Sequence, residues 1–260
     1  MNITEERTVR EIAVEQPSSI RVFERFGIDY CCGGRKPLSQ ACDELQISLE
    51  QVTEKLREAS GVNDDEDLAQ WTTASLAKII QHIVRRHHAF VRREIPRLRA
   101  LAEKVATRHG KTNAELPEVR SLVNQVCEEF TSHMLKEEEV LFPYIARMEH
   151  ELGIGLPLPP ALFGSVATPI QKMMSEHDLA GEAMSRIRKL TSDYQVPEGA
   201  CPSYIGLLTG LQDFETDLHR HVHLENNILF PRGLKMEKEN GGAARGNKLA
   251  TGKHQCCLNG

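Results

Sequence analysis

Histidine and glutamate recur four residues apart on two apolar helical stripes of this sequence. The first stripe places His133 and Glu137 among Val119, Leu122, Val126, Phe130, Val140 and Tyr144. The second places His221 and Glu225 among Leu207, Leu211, Phe214, Leu218 and Ile228. Steps of three or four residues follow one helix face, so both pairs are predicted to point into a core. A buried, unpaired carboxylate costs many kcal/mol, so each pair needs a compensating group such as a metal ion.

The two pairs belong to a longer repeated pattern. In each copy the histidine and glutamate are followed by Leu-Phe-Pro, so HxxxExxxLFP occurs from His133 and again from His221. The offset between the copies is 88 residues (221 − 133 = 88). Because the i, i+4 spacing brings both side chains of a pair to one helix face, the two can reach a single ion.

The helical pattern before each pair supplies a further histidine. His177 lies in PIQKMMSEHDLAG, while His87 and His88 lie together in AKIIQHIVRRHHAFV, where periodicity alone barely separates them. Counted from His88, the displacement to His177 is 89 residues (177 − 88 = 89), close to that of the pairs. Two related helix pairs about an approximate two-fold axis would bring four histidines and two glutamates together.

A cluster of imidazole and carboxylate groups without thiolate indicates a particular class of metal. Structural zinc favours closed tetrahedral sites that are often rich in cysteine. Six nitrogen and oxygen donors shared by two ions, with carboxylates able to bridge, are typical of iron or manganese. Six protein donors also leave open positions on two six-coordinate ions, which predicts chemistry or ligand exchange at the site.

Polar residues beside these positions are predicted to have lesser roles. Glu138 and Glu139 fall off the apolar stripe and are expected to be solvated. His219 and His223 lie one turn apart and flank their stripe, so they are expected at the surface or behind the metal ligands. The prediction of a metal site therefore depends on the repeated set and on no single histidine.

The elements that must position these residues are helices. The chain of 260 residues is 40% hydrophobic and 27% charged, and helical spacing dominates while alternating strand patterns are scarce. The fold is therefore predicted to be all-α. A net charge of −5 gives no indication of nucleic-acid binding, and no long apolar run indicates a membrane span. Without a secretory signal pattern, and with seven cysteines, an odd number, a cytoplasmic protein without a disulfide framework is expected.

The helical patterns divide the chain into four parts. Residues 1–60 are predicted to form a small helical domain, 61–71 an acidic linker, 72–235 a helix bundle and 236–260 a disordered tail. The bundle is predicted to contain four long amphipathic helices, at roughly 74–106, 117–149, 166–192 and 203–230. Because the links between them are short and contain glycine or proline, we expect an antiparallel four-helix bundle.

Adjacent cysteines occur in the turn-rich stretch IDYCCGGRKP, at Cys31 and Cys32. Exposed thiolates in such a turn could act in redox chemistry or in transfer of a metal. The alternative is two small residues in a tight turn with ordinary thiols. A second pair, Cys256 and Cys257, precedes a C-terminus that fits a prenylation signal badly, and no role is assigned to it.

Four motifs occur together in this chain: DYCCGG, SHMLKEEEVLFP, SEHDLAGE and HLENNILFP. With these motifs the sequence, up to about residue 235, resembles the iron–sulfur cluster repair di-iron proteins, or RIC family. That family has a hemerythrin-like bundle preceded by a small domain with the DYCCGG motif. The resemblance implies two carboxylate-bridged, non-haem iron ions, and it chooses His88 over His87. It implies four terminal histidine ligands and two bridging glutamates: His88, His133, His177, His221, Glu137 and Glu225.

The resemblance also implies a function. The family is associated with recovery of iron–sulfur clusters damaged by nitric oxide or oxidants, and some members bind nitric oxide. We therefore expect a stress-response protein that repairs such clusters in client iron–sulfur proteins, with iron donation as one route. The alternatives are a nitric-oxide sink or sensor, or an enzyme that reduces nitric oxide. Oxygen carriage is not expected, because oxygen-carrying hemerythrins use an extra histidine, and Arg92 and Gly181 follow His88 and His177 by one turn.

Overall fold

The fold is helical throughout the part of the chain that the structure describes. This computed structural model describes residues 4–59 and 70–241. Within these ranges, extended pairing is limited to an isolated antiparallel bridge between Thr8 and Pro37. The predicted all-α class is therefore confirmed. No helix in the same ranges is long and apolar enough to cross a bilayer.

Four short helices form the N-terminal part: α1 Val9–Glu15, α2 Ser19–Phe26, α3 Leu38–Leu45 and α4 Leu49–Ala59. Thr8 caps α1, because its hydroxyl accepts a hydrogen bond from the Glu11 main-chain N–H at 3.2 Å and the Glu11 carboxylate accepts one from the Thr8 N–H at 3.0 Å. Gly27 ends α2 with a left-handed φ of 68°. The chain then turns back through the DYCCGG motif.

Four long helical segments follow, and a π-helical turn interrupts three of them. The first consists of α5 Leu76–His82, the turn Ile83–His88 and α6 Ala89–His109. The second consists of α7 Leu116–Lys136, the turn Glu137–Leu141 and α8 Phe142–Gly153. The third is α9 Ala167–Leu190. The fourth consists of α10 Pro202–His223, the turn Leu224–Leu229 and α11 Phe230–Asn240.

The N-terminal part closes one side of the bundle. α6 packs against α7 and α10, and α7 also packs against α9. Along the remaining side, here called the α9–α10 seam, the N-terminal residues contact both helices. Cys32 lies against the His177 carbonyl of α9, and Glu24 pairs with Arg220 of α10. The buried apolar side chains of the N-terminal part and the adjoining half of the bundle form one continuous core.

The π-helical turns change which residues face the core. A π-helical turn adds one residue relative to an α-helix and so rotates every residue that follows it. After Glu137 the buried face continues through Leu141 and Ile145. Val140, which the regular helical period predicts on the buried stripe, is 48% exposed.

Two predicted boundaries differ from the structure. α11 continues through Asn240, so residues 236–240, predicted as tail, are helical. Trp71, at the end of the predicted linker, is buried and packs on His82 with 4.2 Å between ring centroids. Residues 61–69 of the linker and the tail pair Cys256 and Cys257 lie outside the described residues.

Candidate metal centre

Six buried side chains from all four long segments converge in the bundle. Together they are called the His–Glu cluster: His88, His133, Glu137, His177, His221 and Glu225. Each of the six is no more than 1% exposed. His88, Glu137 and Glu225 lie in the three π-helical turns. Such turns are frequent at functional sites, because they redirect a side chain without ending the helix.

The cluster has two halves, each built around two histidines. In one half, Nε2 of His88 lies 3.1 Å from Nε2 of His221. In the other, Nε2 of His133 lies 2.9 Å from Nε2 of His177. Two donors bound about 2.1 Å from one ion and about 90° apart are roughly 3 Å from each other. Each pair therefore has the spacing of two neighbouring donors on one ion.

Glu137 connects the two halves. Its Oε1 lies 3.3 Å from Nε2 of His133, and its Oε2 lies 3.4 Å from Nε2 of His88. Neither oxygen has a hydrogen-bond partner in the described part of the chain. A fully buried carboxylate without hydrogen bonds is costly unless positive charge compensates it, so Glu137 fits a metal ion in each half.

Glu225 connects the halves in the same manner. Its Oε1 lies 2.9 Å from Nε2 of His221, and its Oε2 lies 3.1 Å from Nε2 of His177. Burial alone would raise the pKa of Glu225, but the adjacent His221 and His177 imidazoles hold it well below its usual value. The carboxylate is therefore ionised, and it can bridge two cations.

Two histidines of the cluster have a carboxylate behind the ring. Nδ1 of His88 donates to Oε1 of Glu138 at 2.5 Å, and Nδ1 of His133 donates to Oε2 of Glu176 at 2.9 Å. These bonds keep a ring proton on Nδ1 and direct Nε2 into the cluster. Metal-bound histidines in proteins are oriented by the same kind of outer hydrogen bond.

The other two histidines differ from these. Nδ1 of His177 lies 3.0 Å from Oδ1 of Asn226, so a neutral amide replaces the carboxylate. Nδ1 of His221 has no hydrogen-bond partner within the described ranges. The two halves therefore have different surroundings, although they share both glutamates.

Some of these outer partners depart from the sequence-based predictions. Glu138 was predicted to be solvated, but its carboxylate accepts hydrogen bonds from both His88 and Arg92. Glu139 is exposed, as predicted. Glu176 and Asn226 were not predicted. The only available signal is that each directly neighbours a predicted ligand in sequence, and a polar residue at such a position is more often solvated.

The structure separates His87 from His88. His87 is 3% exposed, but its Nδ1 lies 3.0 Å from Oδ1 of Asp217, and it belongs to neither half. His223, expected at the surface or behind the ligands, is 1% exposed. Burial lowers the pKa of His223 to about 3, so the ring is neutral, and its Nδ1 accepts a hydrogen bond from the Asn227 amide at 2.9 Å.

The adjacent cysteines lie close to the cluster. The thiol of Cys32 is half-buried and donates to the main-chain carbonyl of His177 at 3.4 Å. Gly181 leaves room for it, because a Cβ there would lie 3.3 Å from this sulfur. Cys31 is 4% exposed, and burial raises the pKa of its thiol well above the usual value. Cys31 is therefore a buried, protonated thiol, which disagrees with the exposed thiolate, one of the two alternatives that the sequence left open.

Asp29 organises the cysteine turn. Its Oδ1 accepts the main-chain N–H groups of Cys31 and Cys32 at 2.9 and 3.0 Å, and its Oδ2 accepts that of Gly33 at 2.8 Å. The same carboxylate lies 3.2 Å from the Cys31 sulfur. With both sulfurs it forms a third group that could hold a metal ion, although its hydrogen bonds already account for its position.

Metal binding in this cluster is expected to release a proton near pH 7. Burial lowers the pKa of His133, but the charge of Glu137 outweighs it, and the pKa rises to about 9. The metal-free imidazole therefore carries a proton at pH 7 that an ion at Nε2 must displace. Apparent metal affinity should rise with pH up to about 9. Isothermal titration in buffers of different ionisation enthalpy measures the proton, and equal affinity at pH 7 and 9 without proton release would contradict the expectation.

Two family models match this chain. The Hemerythrin HHE cation binding domain matches residues 79–232, which contain the whole His–Glu cluster. The ScdA_N domain, described as a domain of unknown function (DUF542), matches residues 5–60. The first match supports cation binding by the cluster.

Similar proteins match along nearly their whole length. The iron-sulfur cluster repair protein YtfE of Pectobacterium carotovorum is 35% identical over 235 residues, which cover 89% of this chain and 98% of that protein. A probable iron-sulfur cluster repair protein of Haemophilus influenzae is 34% identical, covering 88% of this chain and 97% of its own. YtfE of Yersinia pseudotuberculosis is 33% identical over a region that covers 87% of this chain and 96% of that protein. The chain, with its hemerythrin HHE domain and its ScdA_N domain, therefore belongs to the family of iron–sulfur cluster repair proteins.

Proposed function

We propose that this protein repairs iron–sulfur clusters damaged by nitric oxide or oxidants, and that it does so with a di-iron centre in the His–Glu cluster. In this proposal, one iron is held in each half and two glutamates bridge them. The four terminal ligands and two bridges are His88, His133, His177, His221, Glu137 and Glu225. The general role in iron–sulfur cluster repair follows from the family. That the metal is iron, and that two ions are bound, is proposed from the geometry of the His–Glu cluster.

One observation carries the proposal. Glu137 and Glu225 each direct one oxygen toward each half, which is the arrangement of a carboxylate that bridges two ions. The donors are imidazole nitrogen and carboxylate oxygen, without a thiolate. This set suits iron better than structural zinc, which favours closed and often cysteine-rich sites.

The surroundings of the cluster support chemistry with a small neutral molecule. Phe142 stacks on His88, Phe230 on His177 and Phe130 on His133, with ring centroids 5.8, 6.2 and 5.2 Å apart. These rings exclude bulk water from the histidines. Ferrous ions in the cluster would supply electrons and open positions for nitric oxide, a small neutral molecule that can enter an apolar site.

The position of the cysteine turn supports a repair role over simple binding of nitric oxide. A sink or sensor needs only the His–Glu cluster, and so does an enzyme that reduces nitric oxide. Repair also requires contact with a damaged iron–sulfur protein and a group that handles soft metal species. Cys32 is half-buried and touches the main chain of His177, so a thiol lies between the cluster and the surface. We assign this transfer step to Cys32, with Cys31 beside it, in the reducing cytoplasm.

The proposal is tested by reactivation of an iron–sulfur enzyme damaged by nitric oxide, with the protein loaded with ⁵⁷Fe. The wild-type protein is expected to restore activity and to transfer label. Cys32→Ser should lower reactivation at least about tenfold while iron content and nitric-oxide binding stay within about twofold, because the thiol is not a cluster donor.

Cys201→Ser is the matched control for this experiment. Cys201 is also half-buried, but it precedes α10 at the end of the bundle remote from the cluster, so this variant should repair normally. The repair proposal would be contradicted if Cys32→Ser repairs as well as wild type and protection of the iron–sulfur enzyme follows nitric-oxide uptake alone. A nitric-oxide sink or reductase would then explain the result.

A further inference from the structure

A buried asparagine, Asn226, links the N-terminal helices to the side chain of His177. Asn226, which is 3% exposed, lies in the π-helical turn Leu224–Leu229, next to Glu225. Its side-chain Oδ1 accepts a hydrogen bond from Nδ1 of His177 at 3.0 Å. Its main-chain carbonyl accepts a hydrogen bond from Nη2 of Arg10, in α1, at 3.0 Å. Asn226 therefore connects Arg10 of the N-terminal part with the imidazole ring of a cluster histidine.

Two further contacts hold the same region. The neighbouring Asn227 donates from Nδ2 to the main-chain carbonyl of Tyr30 at 3.1 Å. Cys32 donates to the main-chain carbonyl of His177 at 3.4 Å. The N-terminal part thus fixes the π-helical turn around Asn226 and the backbone of His177 at once.

The His88 side of the cluster is held differently. Nδ1 of His88 is bonded to Glu138, which the second long segment supplies, and Glu138 is in turn bonded to Arg92 from the first. These outer contacts lie within the bundle. Because a carboxylate increases the basicity of the imidazole more than an amide does, the two halves also differ in electron donation to a bound ion.

We propose that Asn226 is a positioning residue for His177 and that the N-terminal helices, acting through Arg10, set the metal affinity of the His133–His177 half independently of the His88–His221 half. The inference rests on the proposed di-iron centre. It makes the ScdA_N domain, which also carries Cys31 and Cys32, a part of the metal site's support.

Contacts of the π-helical turn Leu224–Leu229 hold the side chain that orients His177. A histidine that has lost its outer hydrogen bond can rotate about χ2 and no longer presents Nε2 at a fixed position. The side-chain amide of Asn226 stays in place because the backbone around it is held on both sides. Arg10 donates to the main-chain carbonyl of Asn226, and the side chain of Asn227 donates to the main-chain carbonyl of Tyr30. Loss of either Asn226 or Arg10 should therefore act on His177 and leave His88 in place.

The test is a stepwise Co²⁺ titration of the metal-free full-length protein, followed by visible absorption, with Mössbauer spectra of the ⁵⁷Fe-loaded protein. Wild type should bind two ions. Asn226→Ala should lower the affinity of one Co²⁺-binding step by roughly 10- to 100-fold. The affinity of the other step should stay within about threefold of wild type. In the Mössbauer spectrum, one of two iron signals should change. Asn226→Asp restores an acceptor oxygen and should recover the weakened step.

Arginine variants separate the role of the N-terminal part from that of the amide. Arg10→Met should weaken the same step as Asn226→Ala, by a smaller factor. Arg7→Met is its matched control, because Arg7 pairs with Glu15 inside the N-terminal part and should leave both steps unchanged. Glu138→Gln should weaken the opposite step, because it acts on His88.

Two results have different consequences. If wild type binds two ions while Asn226→Ala alters both steps equally or neither, or Asn226→Asp fails to recover the step, this inference is overturned and the proposed centre stands. If wild type does not bind two ions, the proposed centre fails and the inference fails with it. Circular dichroism of each variant shows whether the helices are intact, so a folding defect is recognised separately.

Discussion

Replacing Glu137 by leucine is expected to remove both metal ions and to abolish the increase in Tm that metal gives the wild-type protein. Glu137 is fully buried, and each of its oxygens faces one half of the cluster. Leucine fills a similar volume without a charge. Because the variant lacks the bridging carboxylate, its Tm should be the same with and without metal, whereas the Tm of wild type should rise when metal binds. Elemental analysis and thermal unfolding with and without metal measure both effects.

Glu139→Leu is the matched control for that variant. It makes the same change two residues further along, in the same π-helical turn, at an exposed side chain. It should retain both ions and the metal-dependent rise in Tm. Glu138 is unsuitable as a control, because its carboxylate accepts a hydrogen bond from His88. Equal metal loss in Glu137→Leu and Glu139→Leu, or full occupancy in Glu137→Leu, would refute the bridging role of Glu137.

The buried state of the cluster could be predicted from the sequence because its signal is repeated. A histidine and a glutamate four residues apart on an apolar stripe occur twice, and this coincidence is hard to explain by packing alone. Periodicity could not decide whether His87 or His88 is the ligand, because the two are adjacent and near the same helix face. Both are buried in the structure. The π-helical turn Ile83–His88 sets which of the two faces the cluster, and a 3.6-residue period does not contain that information.

The relation between the N-terminal part and the bundle could not be predicted. An acidic, weakly apolar stretch at 61–71 indicates a linker, and a linker indicates separable domains. In the structure the two parts are in contact and are not separate. The contacts are made by individual polar and aromatic residues that are far apart in sequence, such as Glu24 with Arg220 and Tyr30 with Asn227. Such pairs have no periodic pattern, so only the folded chain shows them.

Tyr30→Ala is expected to loosen the N-terminal part from the α9–α10 seam. Tyr30 is 0% exposed, and its ring lies 5.5 Å from that of His223 and 6.0 Å from that of His219. Truncating a buried aromatic side chain costs about 3–5 kcal/mol, which should lower the free energy of unfolding by that amount. Urea unfolding measures the loss.

The same substitution should make Cys31 reactive. Burial raises the pKa of the Cys31 thiol, so solvent entering beside it in Tyr30→Ala allows it to ionise. Labelling with iodoacetamide, followed by mass spectrometry of the Cys31 peptide, should therefore proceed at least about tenfold faster than in wild type.

Tyr204→Ala is the matched control. Tyr204 is also buried, but it packs on His109 at the end of the bundle remote from the cluster, so its loss should cost similar stability. If Cys31 is labelled at the same rate in both variants, general destabilisation explains the reactivity, and docking on the α9–α10 seam does not protect this thiol.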